Sequence, residues 1–196
     1  MKIYLNTDDI NIIMKYVNMG FIDGAIMSYE ALIKNKVYSH VSVEKIYKVV
    51  KTGVMLDTTA VNIHGIIVQM YEMLKINTHF TITMPITEEG LYACRRLRAR
   101  FISVNMNACS SISQAILAAK FHANYVSVAM GQIGTIGARG LLLLKNICIL
   151  YTHYPSITTQ ILVSGMFDVK DIEEVSKVGV DIFTVPPHLI VQMINV

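Results

Sequence analysis

Cysteine, charge and long apolar segments are all scarce in this chain. The three cysteines are odd in number and show no Cys-x-x-Cys spacing, which argues against a disulfide framework and predicts free thiols in a reducing cytoplasm. The six histidines form no His-x-His or His-Glu-x-x-His pair, so the sequence predicts no metal site. We expect no other cofactor.

Charged residues make up only 16% of the 196 residues, and hydrophobic residues make up 53%. No segment reaches the ~18 consecutive apolar residues of a membrane span, and no secretory signal follows Met1. We therefore expect no membrane contact, and we expect other subunits to cover part of the surface. The net charge is +3. The arginines at 95–100 lack interleaved aromatics, which indicates a helix face rather than a nucleic-acid patch.

Eight apolar runs each end on a polar residue. The gaps between neighbouring ends run from 20 to 37 residues, about one strand and one helix each. The ends lie at Asn6, Ser28, Asp57, Thr83, Asn107, Ser127, Ser164 and Thr184. This spacing is typical of a (β/α)8 barrel, in which the carboxyl ends of the strands form one ring around the active site. The expected ring holds amides, hydroxyls and one carboxylate, but neither lysine nor histidine.

We predict a single α/β domain, a (β/α)8 TIM barrel, over residues 1–196. The chain is short for a fold that typically needs ~250 residues, so we expect minimal loops. The predicted strands are 2–6, 23–28, 53–57, 79–83, 101–107, 125–128, 159–164 and 179–184, with helices at 29–34 and 42–50 among those between them. A flavodoxin-like open sheet is the rival architecture, but it uses five strands.

Five segments carry a family resemblance. They are YLNTDD (4–9), GFIDG (20–24), MPITEEGL (84–91), SQAILAAKFHANYVS (113–127) and GVDIFTVPP (179–187). In this order and spacing, the chain resembles the small transaldolases and fructose-6-phosphate aldolases over nearly its whole length. The resemblance implies a (β/α)8 barrel, a ring-shaped oligomer and aldol chemistry through a lysine Schiff base. It also implies a further C-terminal helix, which we expect to be missing because the chain stops at Val196.

The resemblance implies catalytic positions at which this chain differs from the family. Thr83 stands where the Schiff-base lysine belongs, and Asn6 stands in place of the proton-handling aspartate. Asp57 corresponds to a family Gln or Glu, and Asn107 corresponds to the threonine that holds the catalytic water. Threonine cannot form a Schiff base, which requires a primary amine. A replacement lysine would have to reach the ring, and Lys34 or Lys36 comes nearest to that condition.

Positions implied for substrate binding differ as well. Ser28 lies in the turn that the family uses after strand two, and Gln132 and Gly165 replace an arginine and a serine that hold substrate phosphate. The glycine-rich segment 131–140 offers backbone amides and Arg139 to an anion. The alternative is a flexible loop of the kind that family members also have.

Asp57 is the one acid in the ring. It could act as a general base if burial raises its pKa, with Asn6 and Asn107 polarising a carbonyl. Alternatively, all three side chains bond only to their neighbours, since one carboxylate without a partner group is an incomplete catalytic set.

Three functions follow as hypotheses. The first is a catalytically silent member of a lineage in carbohydrate metabolism, which binds a small carbonyl or sugar-type ligand or assembles with an active relative. The second is a non-covalent, aldolase-like lyase that uses Asp57 on a small carbonyl compound. The third is conventional transaldolase or fructose-6-phosphate aldolase activity. In each case we expect a cytoplasmic protein, and a homo-oligomer is the expected assembly.

Overall fold

A computed structural model describes residues 1–30, 50, 53–60, 62–76, 79–130 and 138–195. Eight parallel strands close into one barrel, with β1 paired to β8. The strands are β1 (Lys2–Asn6), β2 (Gly24–Ser28), β3 (Val54–Asp57), β4 (Thr81–Pro85), β5 (Val104–Asn107), β6 (Tyr125–Ala129), β7 (Gln160–Ser164) and β8 (Ile182–Val185). The predicted (β/α)8 barrel is thereby confirmed, and the open five-stranded sheet is excluded.

Helices follow the strands around the outside of the barrel. Within the described ranges they are α1 (Ile10–Asn18), α2 (Ile63–Ile76), α3 (Glu88–Arg98), α4 (Ile112–Lys120), α5 (Ala138–His153), α6 (Val169–Ser176) and α7 (Pro187–Ile194). Several helices are capped at their amino ends by a side-chain oxygen. The side chains of Asp9, Thr87, Ser111 and Asp168 each accept a backbone N–H of the first turn. These bonds satisfy donors that the start of a helix leaves unpaired.

Several strand boundaries differ from the prediction. β4 is displaced, because it begins at Thr81 rather than at residue 79 and continues through Pro85. Pro85 is the last residue of β4, so its missing N–H interrupts no hydrogen-bond ladder that continues along this strand. β5 begins at Val104, since Phe101 turns the chain with a φ of 61°. The helix predicted at 42–50 and most of the one at 29–34 lie outside the described residues, as do positions 131–137.

Strand residues alternate between two environments. Outward residues such as Leu5, Ile82 and Val126 pack beneath the helices in the main hydrophobic core. Inward residues fill the barrel in two zones. The lower zone is apolar and contains Tyr4, Ile26, Met55, Leu162 and Ile182, with Tyr125 packed against them. Above it lie the buried polar side chains of Thr83, Asn105, Ser127 and Thr184. The barrel is therefore a filled core whose polarity rises toward the carboxyl ends of the strands.

The three cysteines are free thiols, as predicted. Cys94 and Cys109 are buried and Cys148 is half-buried. Burial raises the pKa of each thiol to about 11, so the reactive thiolate is scarce at neutral pH. Along the described ranges, we find no helix long and apolar enough to cross a membrane.

Gly24 and Tyr4 fix how β1 and β2 approach each other at the base of the barrel. The two residues are partners in the strand register, and the ring of Tyr4 lies over Gly24. A Cβ atom at position 24 would stand 2.5 Å from Cζ of Tyr4. Glycine is required here because the fully buried ring occupies the volume of any larger side chain.

Replacing Gly24 with alanine is expected to destabilise the fold by about 1–3 kcal/mol, the usual cost of overpacking a core. Denaturant unfolding measures this free energy. Gly179→Ala is the control, because φ there is +92° with nothing within 4 Å of the added Cβ; it should cost only about 1 kcal/mol from backbone strain. In a Tyr4→Ala background, most of the cost of Gly24→Ala should disappear. Additive costs would contradict the steric explanation.

Candidate active site at the mouth of the barrel

The carboxyl ends of the strands bring most of the predicted residues to the mouth of the barrel, but at two depths. Asn6, Ser28, Asp57 and Asn107 are the last residues of their strands. Thr83 and Ser127 lie two residues before the ends of β4 and β6. Each of these two is only 2% exposed. The prediction that β4 ends at Thr83 is therefore wrong, and Thr83 and Ser127 both lie beneath the rim of the mouth. β8 likewise ends at Val185, one residue past the predicted Thr184.

A chain of hydrogen bonds follows the inner wall of the barrel below the mouth, through the neighbouring strands β6, β5, β4 and β3. The hydroxyl of Ser127 donates to Oδ1 of Asn105 over 2.8 Å. Nδ2 of Asn105 donates to the hydroxyl oxygen of Thr83 over 3.3 Å. Thr83 in turn hydrogen-bonds the carboxyl group of Asp57, its partner in the strand register. Thr83 therefore connects a buried amide to the one carboxylate of the predicted ring.

Three effects, which do not all act in the same direction, set the pKa of the Asp57 carboxyl group. Burial raises its pKa above the ordinary 3.8, and the hydrogen bond from Thr83 lowers it. The negative charge of Asp8 adds a smaller upward contribution. Burial is the largest of the three, so the pKa of Asp57 is raised overall, as a general base in a partly dry site requires.

Asp8 holds the end of β2. Its carboxylate accepts the backbone N–H of Ser28 over 2.7 Å and the Ser28 hydroxyl over 2.9 Å. These bonds engage the Ser28 hydroxyl, the group predicted to meet substrate. They also place a second acidic group near Asp57, so the described part of the mouth is acidic on the side of β1 to β3.

The two predicted amides differ in their surroundings. Asn6 is exposed at the end of β1. Oδ1 of Asn107 accepts the N–H of Ala108 over 2.8 Å and supports a turn in which Ala108 has a φ of 59°. The oxygen of Asn107 thus has a local structural role, and its amide N–H groups are the part that could polarise a carbonyl.

Thr184 is the one buried side chain whose oxygen lacks a hydrogen-bond partner among the described residues. It is 1% exposed and lies two residues above Ile182, on the same inward face of β8. An unsatisfied buried hydroxyl costs about 1–3 kcal/mol. A small polar ligand or a water inside the mouth would remove that cost.

The remaining predicted positions surround the mouth at greater distance. Gly165 follows β7 with a φ of 73°, a backbone conformation that favours glycine. Arg139 is exposed in the first turn of α5. Gln132 lies outside the described residues, as do Lys34 and Lys36. Lys2 is the only lysine in a described strand, and it lies at the amino end of β1, away from the mouth.

Sequence reasoning misses two residues of this site, Asn105 and Asp8. Asn105 lies inside an apolar run, and its alternation with Val104 and Met106 is the available signal for an inward position. Asp8 is adjacent to Asp9 and resembles it as a possible helix cap, but Asp9 alone caps α1. Together with Asp57 and Thr83, these residues can bind and orient a small polar molecule and can move a proton at the Asp57 carboxyl.

A closed parallel barrel with a polar mouth above an apolar floor defines the (β/α)8 class of proteins. The family model described as transaldolase/fructose-6-phosphate aldolase matches residues 9–196. The chain belongs to this family.

Curated relatives agree with that assignment. A probable transaldolase of Nitrosopumilus maritimus is 31% identical over 195 residues, which cover 100% of this chain and 88% of the relative. A probable transaldolase of Methanococcus vannielii is 30% identical, covering 100% of this chain and 90% of the relative. Another, from Caldicellulosiruptor saccharolyticus, is 31% identical and covers 98% and 89%.

Among solved structures, a thiamine phosphate pyrophosphorylase from Pyrococcus furiosus superposes with a TM-score of 0.66, covering 94% of this chain and 85% of that one. The two sequences are 16% identical. At this identity the likeness shows the barrel fold alone, because one barrel carries many unrelated activities.

Replacing Asp57 with asparagine is expected to stabilise the protein at neutral pH. The pKa of the Asp57 carboxyl group in the folded protein is above 3.8. The stability that this carboxyl group contributes is therefore fully present at pH values below 3.8, and it is lost as the pH rises through the folded pKa. Asparagine resembles the neutral acid, so the free energy of unfolding of Asp57→Asn relative to the parent should increase from about pH 3 upward and then level off. The total gain should be about 1.4 kcal/mol for each unit by which the folded pKa is raised.

Urea unfolding of both proteins between about pH 3 and pH 8 measures this difference across the range in which the carboxyl group titrates. Asp9→Asn is the matched control, because asparagine also caps helices well and Asp9 is exposed. An Asp57→Asn variant that is less stable than the parent at neutral pH would contradict the raised pKa.

Proposed function

We propose that this protein is a transaldolase-family barrel that is silent in Schiff-base aldol chemistry. Its mouth serves as a binding site for a small carbonyl or sugar-type ligand, in a homo-oligomer or in an assembly with an active relative. The observation that carries the proposal is the environment of Thr83. Its hydroxyl accepts from Asn105 and bonds to Asp57, so polar groups close around the position that the resemblance assigns to the lysine.

The charge of the mouth supports an unphosphorylated ligand. Asp57 and Asp8 bring negative charge to the site, and a phosphate group near them would be repelled. Arg139 is the one described cation among the predicted binding positions, and it is exposed in the first turn of α5. A neutral carbonyl compound or polyol, by contrast, can use the amides and hydroxyls that line the mouth.

Borohydride trapping tests the proposal. The protein is incubated with fructose 6-phosphate, and separately with dihydroxyacetone, then reduced and measured by intact mass. We expect no adduct, because Thr83 carries no amine. The probable transaldolase of Nitrosopumilus maritimus, treated in parallel, is the reference for adduct formation.

A stoichiometric adduct on this protein would overturn the proposal and restore conventional aldol activity. Peptide mapping would then identify the reacting lysine. Lys34→Arg and Lys36→Arg would show whether either of these residues provides the amine, since arginine keeps the charge but forms no Schiff base.

A second candidate function is non-covalent lyase activity with Asp57 as the general base. The raised pKa of Asp57 and its hydrogen bond to Thr83 favour it. If turnover of a small carbonyl compound is found, Asp57→Asn should reduce kcat by about 10²–10⁴-fold, the usual contribution of a general base. Thr83→Val should shift the pH profile upward, because the bond that lowers the pKa of Asp57 is lost. Turnover that survives Asp57→Asn would exclude this assignment.

A further inference from the structure

A groove lies on one side of the base of the barrel, at the end opposite the mouth, where the chain enters β5, β6 and β7. It consists of two adjoining cavities of about 670 Å³ and 540 Å³, which share Lys120, His122 and Thr158. The larger cavity lies beside the turns that connect α3 and α4 to the strands that follow them. We call the two cavities together the basal groove. None of the residues discussed at the mouth lines it.

Two turns that line the groove have an unusual backbone. Phe101 and His122 adopt left-handed conformations, with φ of 61° and 58°. Each follows a helix whose last turn is closed by a bond to the residue five positions earlier, from Ile102 N to Leu97 O and from Ala123 N to Ala118 O, both 3.1 Å. Glycine is the usual residue at this position because it has no Cβ to strain the turn. Glycine in place of Phe101 or His122 would therefore stabilise the folded state.

Phe101 is also 92% exposed. An aromatic ring in water at a position that favours glycine has neither a packing role nor a backbone advantage. Strain of this kind is typical of functional positions. The ring is therefore available to a binding partner.

The larger cavity is basic. Arg95 and Lys120 are exposed on its walls, and neither forms an ion pair with a described carboxylate. Arg98 holds the two turns together, because it donates to His122 O over 2.7 Å and to Ile102 O over 3.1 Å. No acidic residue occurs among the described residues that line either cavity.

The smaller cavity is mainly apolar. Ile116 and Tyr154 are exposed beside it, and Leu150 and Ile157 complete its wall. A groove with positive charge at one end and apolar side chains at the other matches a segment that carries acidic and apolar residues together.

We propose that the basal groove binds an acidic, apolar segment of a partner protein, with Phe101 as the aromatic contact in the larger, basic cavity. Charge complementarity selects this occupant. A nucleic acid would need a broader basic surface to follow its phosphates, and a free anion would leave the apolar cavity unused. This surface is independent of the chemistry at the mouth.

Selection from displayed peptide libraries tests the proposal. One library of short peptides mixes Glu and Asp with Leu, Ile and Phe, and a second replaces the acids with Lys and Arg. We expect the intact protein to enrich the acidic library alone. Fluorescence anisotropy of an enriched peptide should then show at least about tenfold weaker binding to Arg95→Glu/Lys120→Glu, the loss expected from removing central charged contacts. Arg96→Glu is the matched control, because Arg96 lies on the same helix but outside the groove.

Phe101→Gly separates a binding role from a structural one. Relief of the backbone strain should raise Tm by about 2–4 °C, while peptide binding falls at least about tenfold. Ala108→Gly is the control, because Ala108 has the same left-handed backbone, with a φ of 59°, but follows β5 at the mouth. It should raise Tm and leave peptide binding unchanged.

Three outcomes of the peptide selection and of these variants would overturn the proposal. They are equal enrichment of the two libraries, binding that survives both Phe101→Gly and the charge reversal, and a fall in Tm for Phe101→Gly, which would assign the ring a structural role. Preferential binding of a single-stranded RNA oligonucleotide over the enriched peptide, or self-association that the groove variants abolish, would likewise overturn it and assign the groove to a different occupant.

Discussion

Pairing of β1 with β8 closes the sheet, and the positions of all the residues at the mouth depend on that closure. A closed parallel sheet has no free edge and directs alternate side chains of every strand into one interior. The lower interior is filled mainly by apolar side chains, and the buried polar side chains of Thr83, Asn105, Ser127 and Thr184 lie above them, toward the carboxyl ends of the strands. The hydrogen-bond chain from Ser127 to Asp57 runs through four neighbouring strands, β6 to β3, whose inward side chains lie side by side.

The two ends of the barrel have different chemistry. At the mouth, Asp57 and Asp8 surround Thr83 and Ser28 with negative charge. At the base, Arg95 and Lys120 flank an exposed Phe101. Strand ends at the mouth carry the chemistry of most barrels of this class, whereas the base is free to acquire contacts with other molecules. Under the proposed loss of covalent chemistry at the mouth, a binding function at the base would remain independent of it.

Family membership and chemistry rest on different residues. The family match covers residues 9–196 and reflects the segments that build the barrel. The proposed loss of Schiff-base chemistry rests on Thr83 and on the groups that bond to it. A barrel can keep its strands, caps and core while a few inward residues change, because outward side chains such as Ile82 and Met84 carry most of the packing against the helices.

The sequence by itself determined the barrel, since eight apolar runs at strand-plus-helix spacing admit few other folds, and it placed Asn6, Ser28, Asp57 and Asn107 at strand ends. Only the tertiary structure decided that Thr83 lies beneath the rim, that Asn105 joins it to Ser127, and that Asp8 binds Ser28. These contacts join residues that are 20 to 22 positions apart. Their partners depend on strand register, which a local pattern of apolar residues does not specify.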